Sequence, residues 1–236
     1  ASEIAERINT NGHNVNVAFV RIGGVLHDIG RCVTNDVRHG VEGGKIVTKP
    51  ALTEPELMEF DEIGTLEAFN TDGLRSLLKT MKVKNMKEKT LRYPGHREMM
   101  QQLKNAGMFS DKKISVGGKE ISPLEMTAKV LLPQWKLLPG ENEFTVMRVI
   151  VSGKEKGKKK TYTYDLFDRN DLKTGFSSMS RTTGFTCTAA ANLLLKNFFN
   201  KKGVNPPEYI GEDEKCFSFV MNYLKERGVN YKMKVS

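Results

Sequence analysis

The chain has 236 residues, of which 39% are hydrophobic, 28% charged and 8% aromatic. This composition is typical of a folded globular protein and excludes a disordered or fibrous chain. No apolar run is long enough to cross a bilayer and the N-terminus lacks a signal-peptide layout, so the sequence predicts a cytoplasmic protein with no membrane partner.

A formal net charge of +9 raises the question of nucleic-acid binding. Much of this charge is concentrated in Lys154–Lys160, where a turn is expected, and no aromatic residues are interleaved with the lysines. The pattern therefore favours a solvated hairpin tip, and we expect no nucleic-acid partner.

The cysteines do not indicate a disulfide framework or a structural zinc site, because they are three in number, widely spaced and without a CxxC pair. They are predicted to be buried thiols at Cys32, Cys187 and Cys216.

Two short helices are predicted near the N-terminus, over residues 3–10 and 17–27, from the helical spacing of their apolar positions. A glycine-rich stretch, Arg38–Lys45, leads from them to Pro50, which favours a break. The sequence therefore predicts a domain boundary between Lys45 and Pro50, with residues 1–46 and 47–236 as the two parts.

The middle of the chain carries two short extended patterns and then two helical ones. They predict strands over Glu56–Ile63 and Leu66–Phe69, a helix over Gly73–Lys79, and a helix from Pro94 to about Asn105 that is stopped by Gly107.

The clearest β signal is a hairpin formed by two runs rich in Val, Ile, Tyr and Thr, Phe144–Val151 and Thr161–Phe167. Two late helices are predicted over Thr182–Phe199 and Asp213–Arg227, the second stopped by Gly228. Together these elements predict an α+β fold, in which a mixed sheet covered by helices follows a short helical N-terminal segment. The hairpin would project from or extend that sheet, and its pairing across a two-fold axis predicts a homodimer.

His27 and Asp28 place an imidazole beside a carboxylate near a helix end, which is chemistry suited to one divalent metal. The pair lies in Val25-Leu-His-Asp-Ile-Gly-Arg31, and this region up to Gly43 resembles the middle of an HD-domain phosphohydrolase. In that family a further histidine and a further aspartate complete the site, and metal-activated water attacks a phosphate ester. With neither residue found, His27, Asp28 and His39 leave a metal with too few ligands, which favours a helical fragment packed on the neighbouring domain.

Four patches in the longer part carry a second resemblance: Gly64–Arg75 (GTLEAFNTDGLR), Lys89–His96 (KTLRYPGH), Ser178–Gly184 (SMSRTTG) and Gly203–Glu208 (GVNPPE). Their order and spacing resemble the substrate-binding domain of the saccharopine reductase and lysine dehydrogenase family over nearly all of residues 47–236. The resemblance implies an amino-acid substrate whose amine is oxidised, or whose imine is reduced, by hydride exchange with NAD or NADP.

The resemblance also implies candidate catalytic residues. Substrates of this class carry carboxylates, and the planar fork of Arg92 is suited to bind both oxygens of one. His96 is suited to hydrogen-bond the substrate or carry a proton near neutral pH, although a surface histidine is an equal alternative.

Further candidates were identified around these two residues. Asn70 and Asp72 are placed to hold the substrate ammonium or the ribose side of the cofactor, or else to cap the helix predicted at Gly73. Arg181, at a predicted helix start, is placed to attract an anion or else to cap. The full set of candidate substrate-binding residues is Asn70, Thr71, Asp72, Arg92, Tyr93, Arg181 and Thr182.

The family's dinucleotide site lies on a Rossmann domain that precedes the substrate domain and carries a Gly-x-Gly-x-x-Gly turn. Gly40–Lys45 fits neither that pattern nor a P-loop, so NAD or NADP is expected on a separate cofactor domain and not on this chain alone. Three interpretations stay open: a substrate-binding domain, a fusion or dimerisation module without activity, and a remnant of a metal phosphohydrolase.

Overall fold

The computed structural model describes residues 37–236. The chain divides into two compact units, Ala1–Trp135 and Lys136–Ser236. The helices predicted before residue 28 lie outside the described residues, and the boundary predicted between Lys45 and Pro50 stays a prediction. No helix among residues 37–236 is long and apolar enough to span a bilayer.

The described part of the first unit alternates short strands with short helices. In chain order they are β1 (Val37–Glu42), β2 (Lys45–Lys49), β3 (Glu56–Phe60), β4 (Gly64–Asn70), α1 (Leu77–Thr80), β5 (Met86–Lys87), β6 (Lys89–Arg92), α2 (His96–Asn105), β7 (Ile114–Val116), β8 (Lys119–Ile121) and α3 (Pro123–Gln134).

These strands form three antiparallel sheets, in the orders β2-β1-β5, β3-β4-β6 and β7-β8. Strand β4 is central in the second sheet, and its apolar residues Leu66, Ala68 and Phe69 are all buried. Since neighbouring residues of a strand point to opposite faces, β4 is covered on both faces. It is therefore the most constrained strand of this sheet.

The second unit contains β9 (Phe144–Glu155), β10 (Lys158–Arg169), α4 (Ser178–Leu195), α5 (Glu208–Gly211), α6 (Glu214–Lys225) and β11 (Tyr231–Val235). Its strands form one antiparallel sheet in the order β11-β10-β9. Lys156 and Gly157 connect β9 to β10 with positive φ angles of 49° and 80°, the pattern of a tight hairpin turn that matches strand twist. The predicted hairpin is confirmed, and it extends through the exposed lysine cluster.

The core of the second unit consists of two apolar clusters. Leu166 of β10 packs with Leu224 and Val229 in one cluster, and Leu193, Phe199 and Cys216 form the other. Helix α6 begins where the Asp213 carboxylate accepts the amide of Cys216 at 2.8 Å. It is followed by Gly228 with φ +78°, so the predicted start and stop of this helix are confirmed.

The α+β class is confirmed, but the single mixed sheet is wrong, because the described strands pair antiparallel in separate sheets. The helix predicted over Gly73–Lys79 is reduced to Leu77–Thr80. Helix α4 begins at Ser178 and not at Thr182, because the Ser177 hydroxyl accepts the amide of Ser180 at 3.0 Å. The thiol of Cys187 is exposed, which corrects the prediction that it is buried.

Candidate functional site

The register between β4 and β6 places a row of polar side chains on one face of the second sheet. Glu67 is paired with Arg92, and Phe69 with Thr90. Because side chains alternate along a strand, the next residues on this face are Thr71 and Glu88. Helix α2 adds its first two residues, and we call the polar set the Glu67 face: Glu67, Thr71, Glu88, Thr90, Arg92, His96 and Arg97.

Glu67 is the most buried charged group of this face, with 9% of its surface exposed. One carboxylate oxygen, Oε1, accepts a hydrogen bond from Nε of Arg97 at 3.0 Å. The other oxygen, Oε2, is buried and has no hydrogen-bond partner among the described residues. A buried carboxylate oxygen without a donor is costly, so it marks a position where a donor is missing.

His96 begins helix α2 directly after Gly95, whose φ of +96° turns the chain into the helix. Partial burial and the nearby Arg92 guanidinium lower the pKa of His96 below its ordinary value, while the Glu67 carboxylate acts in the opposite direction. The ring is therefore neutral near pH 7, with one nitrogen that donates and one that accepts. Trp135 lies beside it, with ring centroids 6.2 Å apart.

Arg92, the last residue of β6, and Tyr93, which follows it, are exposed. Nη1 of Arg92 donates to the carbonyl of Leu91 at 2.8 Å, which fixes the direction of the side chain. An exposed guanidinium is accessible to a carboxylate ligand from solvent.

A hydroxyl network forms the other end of the Glu67 face. The Thr71 hydroxyl lies 2.6 Å from that of Thr90 and 3.0 Å from Oε2 of Glu88. Gly73 makes room for this network, since a Cβ there would lie 2.2 Å from the Glu88 side chain. Asp72 is half-buried between Thr71 and Gly73.

Asn70 lies on the opposite face of β4 and is fully buried. Its side-chain amide donates to the Thr53 hydroxyl at 3.1 Å, and its backbone bonds to Leu52 and Thr53. Helix α1 has Ser76 at its N-cap position, so the alternative that Asn70 and Asp72 cap a helix at Gly73 is wrong. The geometry favours a structural role in which Asn70 holds the segment before β3 by hydrogen bonds.

Arg181 and Thr182 belong to the second unit. The Arg181 guanidinium donates to both oxygens of Asp168 at 3.1 to 3.3 Å and to the carbonyl of Arg227 at 3.1 Å. The backbone amide of Arg181 donates to the carbonyl of Ser177, so it is not available to bind the anion expected at this helix start. Thr182 donates to the Ser178 carbonyl at 2.9 Å, so both side chains hold local structure.

A cavity of about 300 Å³ lies in the second unit, lined by residues that include Phe198, Lys201, Tyr209 and Cys216. The Cys216 thiol donates to the carbonyl of Phe198 at 3.4 Å. Burial and the adjacent Asp213 carboxylate raise the pKa of this thiol, which disfavours the nucleophilic thiolate. The Cys216 thiol in this cavity is therefore not activated as a nucleophile.

The predicted metal ligands His27 and Asp28 lie outside the described residues, and the side chain of His39 is likewise not described. Within the described part of the chain, no group of three or more His, Cys, Asp or Glu residues is arranged to hold a metal ion. The metal site at His27, Asp28 and His39 stays a prediction.

The model of the saccharopine dehydrogenase C-terminal domain family matches residues 28–229. The chain belongs to this family. An uncharacterised protein of Methanocaldococcus jannaschii is 44% identical over 54 residues, which is 23% of this chain and 32% of that protein. The chain thus covers about a third of that relative, and the resemblance to HD-domain phosphohydrolases finds no support in these comparisons.

Membership in the saccharopine dehydrogenase C-terminal domain family indicates an amino-acid dehydrogenase-like domain. The dinucleotide that such enzymes use does not fit the described residues. The strands within residues 37–236 pair only antiparallel. A dinucleotide-binding fold instead needs parallel strands joined by a glycine-rich turn and a helix.

Sequence reasoning missed Glu67 and Arg97. The signal was present in Leu66-Glu-Ala-Phe69, where one charged residue stands in an otherwise apolar strand. A charge buried in a strand centre is rare unless it is paired or functional. Its partner, however, follows only from the position of helix α2.

Proposed function

We propose that this chain supplies the substrate-binding part of an NAD(P)-dependent amino-acid dehydrogenase of the lysine or saccharopine type. The match of residues 28–229 to the saccharopine dehydrogenase C-terminal domain carries this proposal. Such an enzyme needs a nicotinamide dinucleotide for hydride exchange, and a separate cofactor domain would hold it.

The Glu67 face is the proposed substrate site. Arg92 binds a substrate carboxylate through its planar fork, and Tyr93 and Asp72 border the ligand. His96 is neutral near pH 7, so it can accept a proton as the substrate amine is deprotonated and return it in the reverse direction. Thr71 supports the site through its contacts with Glu88 and Thr90.

Arg181 and Thr182 have a supporting role in this proposal. The Arg181 guanidinium already serves Asp168 and Arg227, so it stabilises the second unit and leaves carboxylate binding to Arg92.

A calorimetric titration with L-lysine, saccharopine, NADH and NADPH tests the proposal. We expect saturable binding of an amino acid by the purified chain and none of either dinucleotide. Arg92→Gln should weaken amino-acid binding by about tenfold or more, because a charge-assisted hydrogen bond is lost. Lys113→Gln removes one charge from an exposed position of the same unit and should leave binding unchanged.

A homodimer formed through the β9–β10 hairpin is a second proposal. Strand β9 is an edge of its sheet, and Val149, Ile150 and Val151 are exposed along it. An exposed apolar edge strand is a ready template for pairing with another strand.

A further inference from the structure

Among the described carboxylates of its sheet, Glu67 is the one with a buried oxygen that has no hydrogen-bond partner. Its Oε1 is held by Arg97 at 3.0 Å, while Oε2 is buried without a donor among the described residues. The N-terminus of α2, which carries His96 and Arg97, is thus accompanied by a buried acceptor, Oε2 of Glu67. A buried acceptor without a donor indicates that a ligand supplies one.

The charges around Glu67 suggest the chemistry of that donor. The Glu67 face combines two carboxylates with Arg92 and Arg97. Both oxygens of Glu88 already accept from Thr71, so Oε2 of Glu67 is the acceptor that is left. An anionic group fits the arginines, and a cationic N–H donor fits the remaining carboxylate oxygen. A zwitterion satisfies both requirements at once.

The spacing narrows this to one arrangement of the two charges. Glu67 and Arg92 are direct partners across the antiparallel pair β4–β6. Directly opposed residues have Cβ atoms about 5 Å apart, so the two side chains leave neighbouring backbone positions on one face. A carboxylate and an ammonium carried on the same carbon can therefore meet both. A ligand with its amine at the far end of a long chain does not present its two charges this way.

We propose that Oε2 of Glu67 accepts a hydrogen bond from the α-ammonium group of the ligand whose carboxylate is bound by Arg92. Glu67 then selects α-amino acids over carboxylic acids that lack an α-amine. This inference rests on the proposed function, since it assumes that an amino acid binds at the Glu67 face.

The test compares three probes that share a carboxylate and differ in their amines. L-lysine carries both amines, L-norleucine only the α-amine, and 6-aminohexanoate only the terminal amine. Calorimetry of the full chain and of Glu67→Gln should show lysine and norleucine weakened about ten- to hundred-fold. The affinity for 6-aminohexanoate should be unchanged. Arg97→Gln serves as the control, because it removes the Arg97–Glu67 ion pair but keeps the Glu67 carboxylate.

Equal weakening of all three probes would overturn the inference, and so would a loss confined to lysine and 6-aminohexanoate. Either result leaves the proposed function standing if Arg92→Gln still weakens every probe. Binding of no probe by the unaltered chain would instead reject the proposed function together with the inference. Should Glu67→Gln fail to fold, Glu67→Asp replaces it. This variant keeps the charge but shortens the side chain by one methylene, and its affinities for the three probes are compared in the same way.

Discussion

Glu67 and Arg92 face each other as direct partners across the antiparallel strands β4 and β6. The carboxylate is buried and the guanidinium is exposed. This pairing puts an exposed cation and a buried anion at opposed positions of neighbouring strands, and both charges act on the pKa of His96. The electrostatics of the candidate site can therefore be measured through one imidazole.

The first prediction concerns the pKa of His96. Glu67→Gln removes the charge that raises this pKa, so the pKa should fall further. Arg92→Gln removes a charge that lowers it, so the pKa should rise. NMR titration of the His96 ring in the three proteins checks both directions, and identical curves would show that neither charge reaches the ring.

The second prediction concerns stability at mildly acidic pH. Burial lowers the pKa of His96 in the folded chain, so below about pH 6.5 the unfolded chain binds the proton more readily and the fold loses stability. His96→Gln removes this loss. The Tm of the variant relative to the unaltered chain should therefore rise as the pH is lowered from about 7.5 to about 5.5. A constant difference across this range would contradict the assigned direction.

The third prediction concerns the ion pair of the second unit. The Asp168 side chain is 3% exposed and that of Arg181 is 13% exposed. Arg181→Gln leaves the Asp168 carboxylate buried without its cation, which should cost about 3 to 5 kcal/mol of unfolding free energy in urea. The exposed pair Lys160–Glu155 is the control, since Lys160→Gln should change the unfolding free energy far less than Arg181→Gln. An Arg181 variant of normal stability that has lost ligand binding would favour the anion-binding role instead.

The fourth prediction concerns the close packing at Gly73. Gly73→Ala places a Cβ against the Glu88 side chain, which must move and give up its hydrogen bonds with Thr71. We expect a loss of about 1 to 2 kcal/mol, the usual cost of such a broken network. Once Glu88 is already replaced by Ala, adding Gly73→Ala should cost far less, and additive losses in this double-mutant cycle would reject the clash.

The fifth prediction concerns the hairpin edge. Ile150→Lys places a charge in the middle of exposed β9 and should shift a dimer to monomer in sedimentation velocity. The matched change Lys158→Gln at the hairpin tip should leave the sedimentation coefficient unchanged. A dimer that tolerates Ile150→Lys would place the contact elsewhere.

Local sequence signals predicted the elements whose patterns are strong. The β9–β10 hairpin follows from its alternating β-branched residues, and α6 follows from its apolar face together with Asp213 and Gly228. The β7–β8 hairpin was missed although Gly117–Gly118 is a two-residue turn signal with positive φ at both residues. Helix α3 was missed although Ser122 caps it and Pro123 opens it.

The candidate site was only partly predictable, because its key contacts join distant segments. Arg92 and His96 are recognisable from the patch that contains them. The burial of Glu67 requires the register of β4 with β6, and its contact with Arg97 spans 30 positions of sequence. No local pattern specifies such a contact. The helix start predicted at Thr182 was wrong for the opposite reason, since a purely local contact, the cap by Ser177, lets the helix begin at Ser178.

The central claim is that an amino acid binds at the Glu67 face, and NMR shift mapping with L-lysine tests it most directly. Titration into isotope-labelled protein should move the signals of Glu67, Arg92 and His96 together with one dissociation constant. Arg92→Gln should abolish these changes at the same lysine concentration. Shifts centred instead on the cavity near Tyr209 and Cys216, or no shifts at all, would contradict the claim.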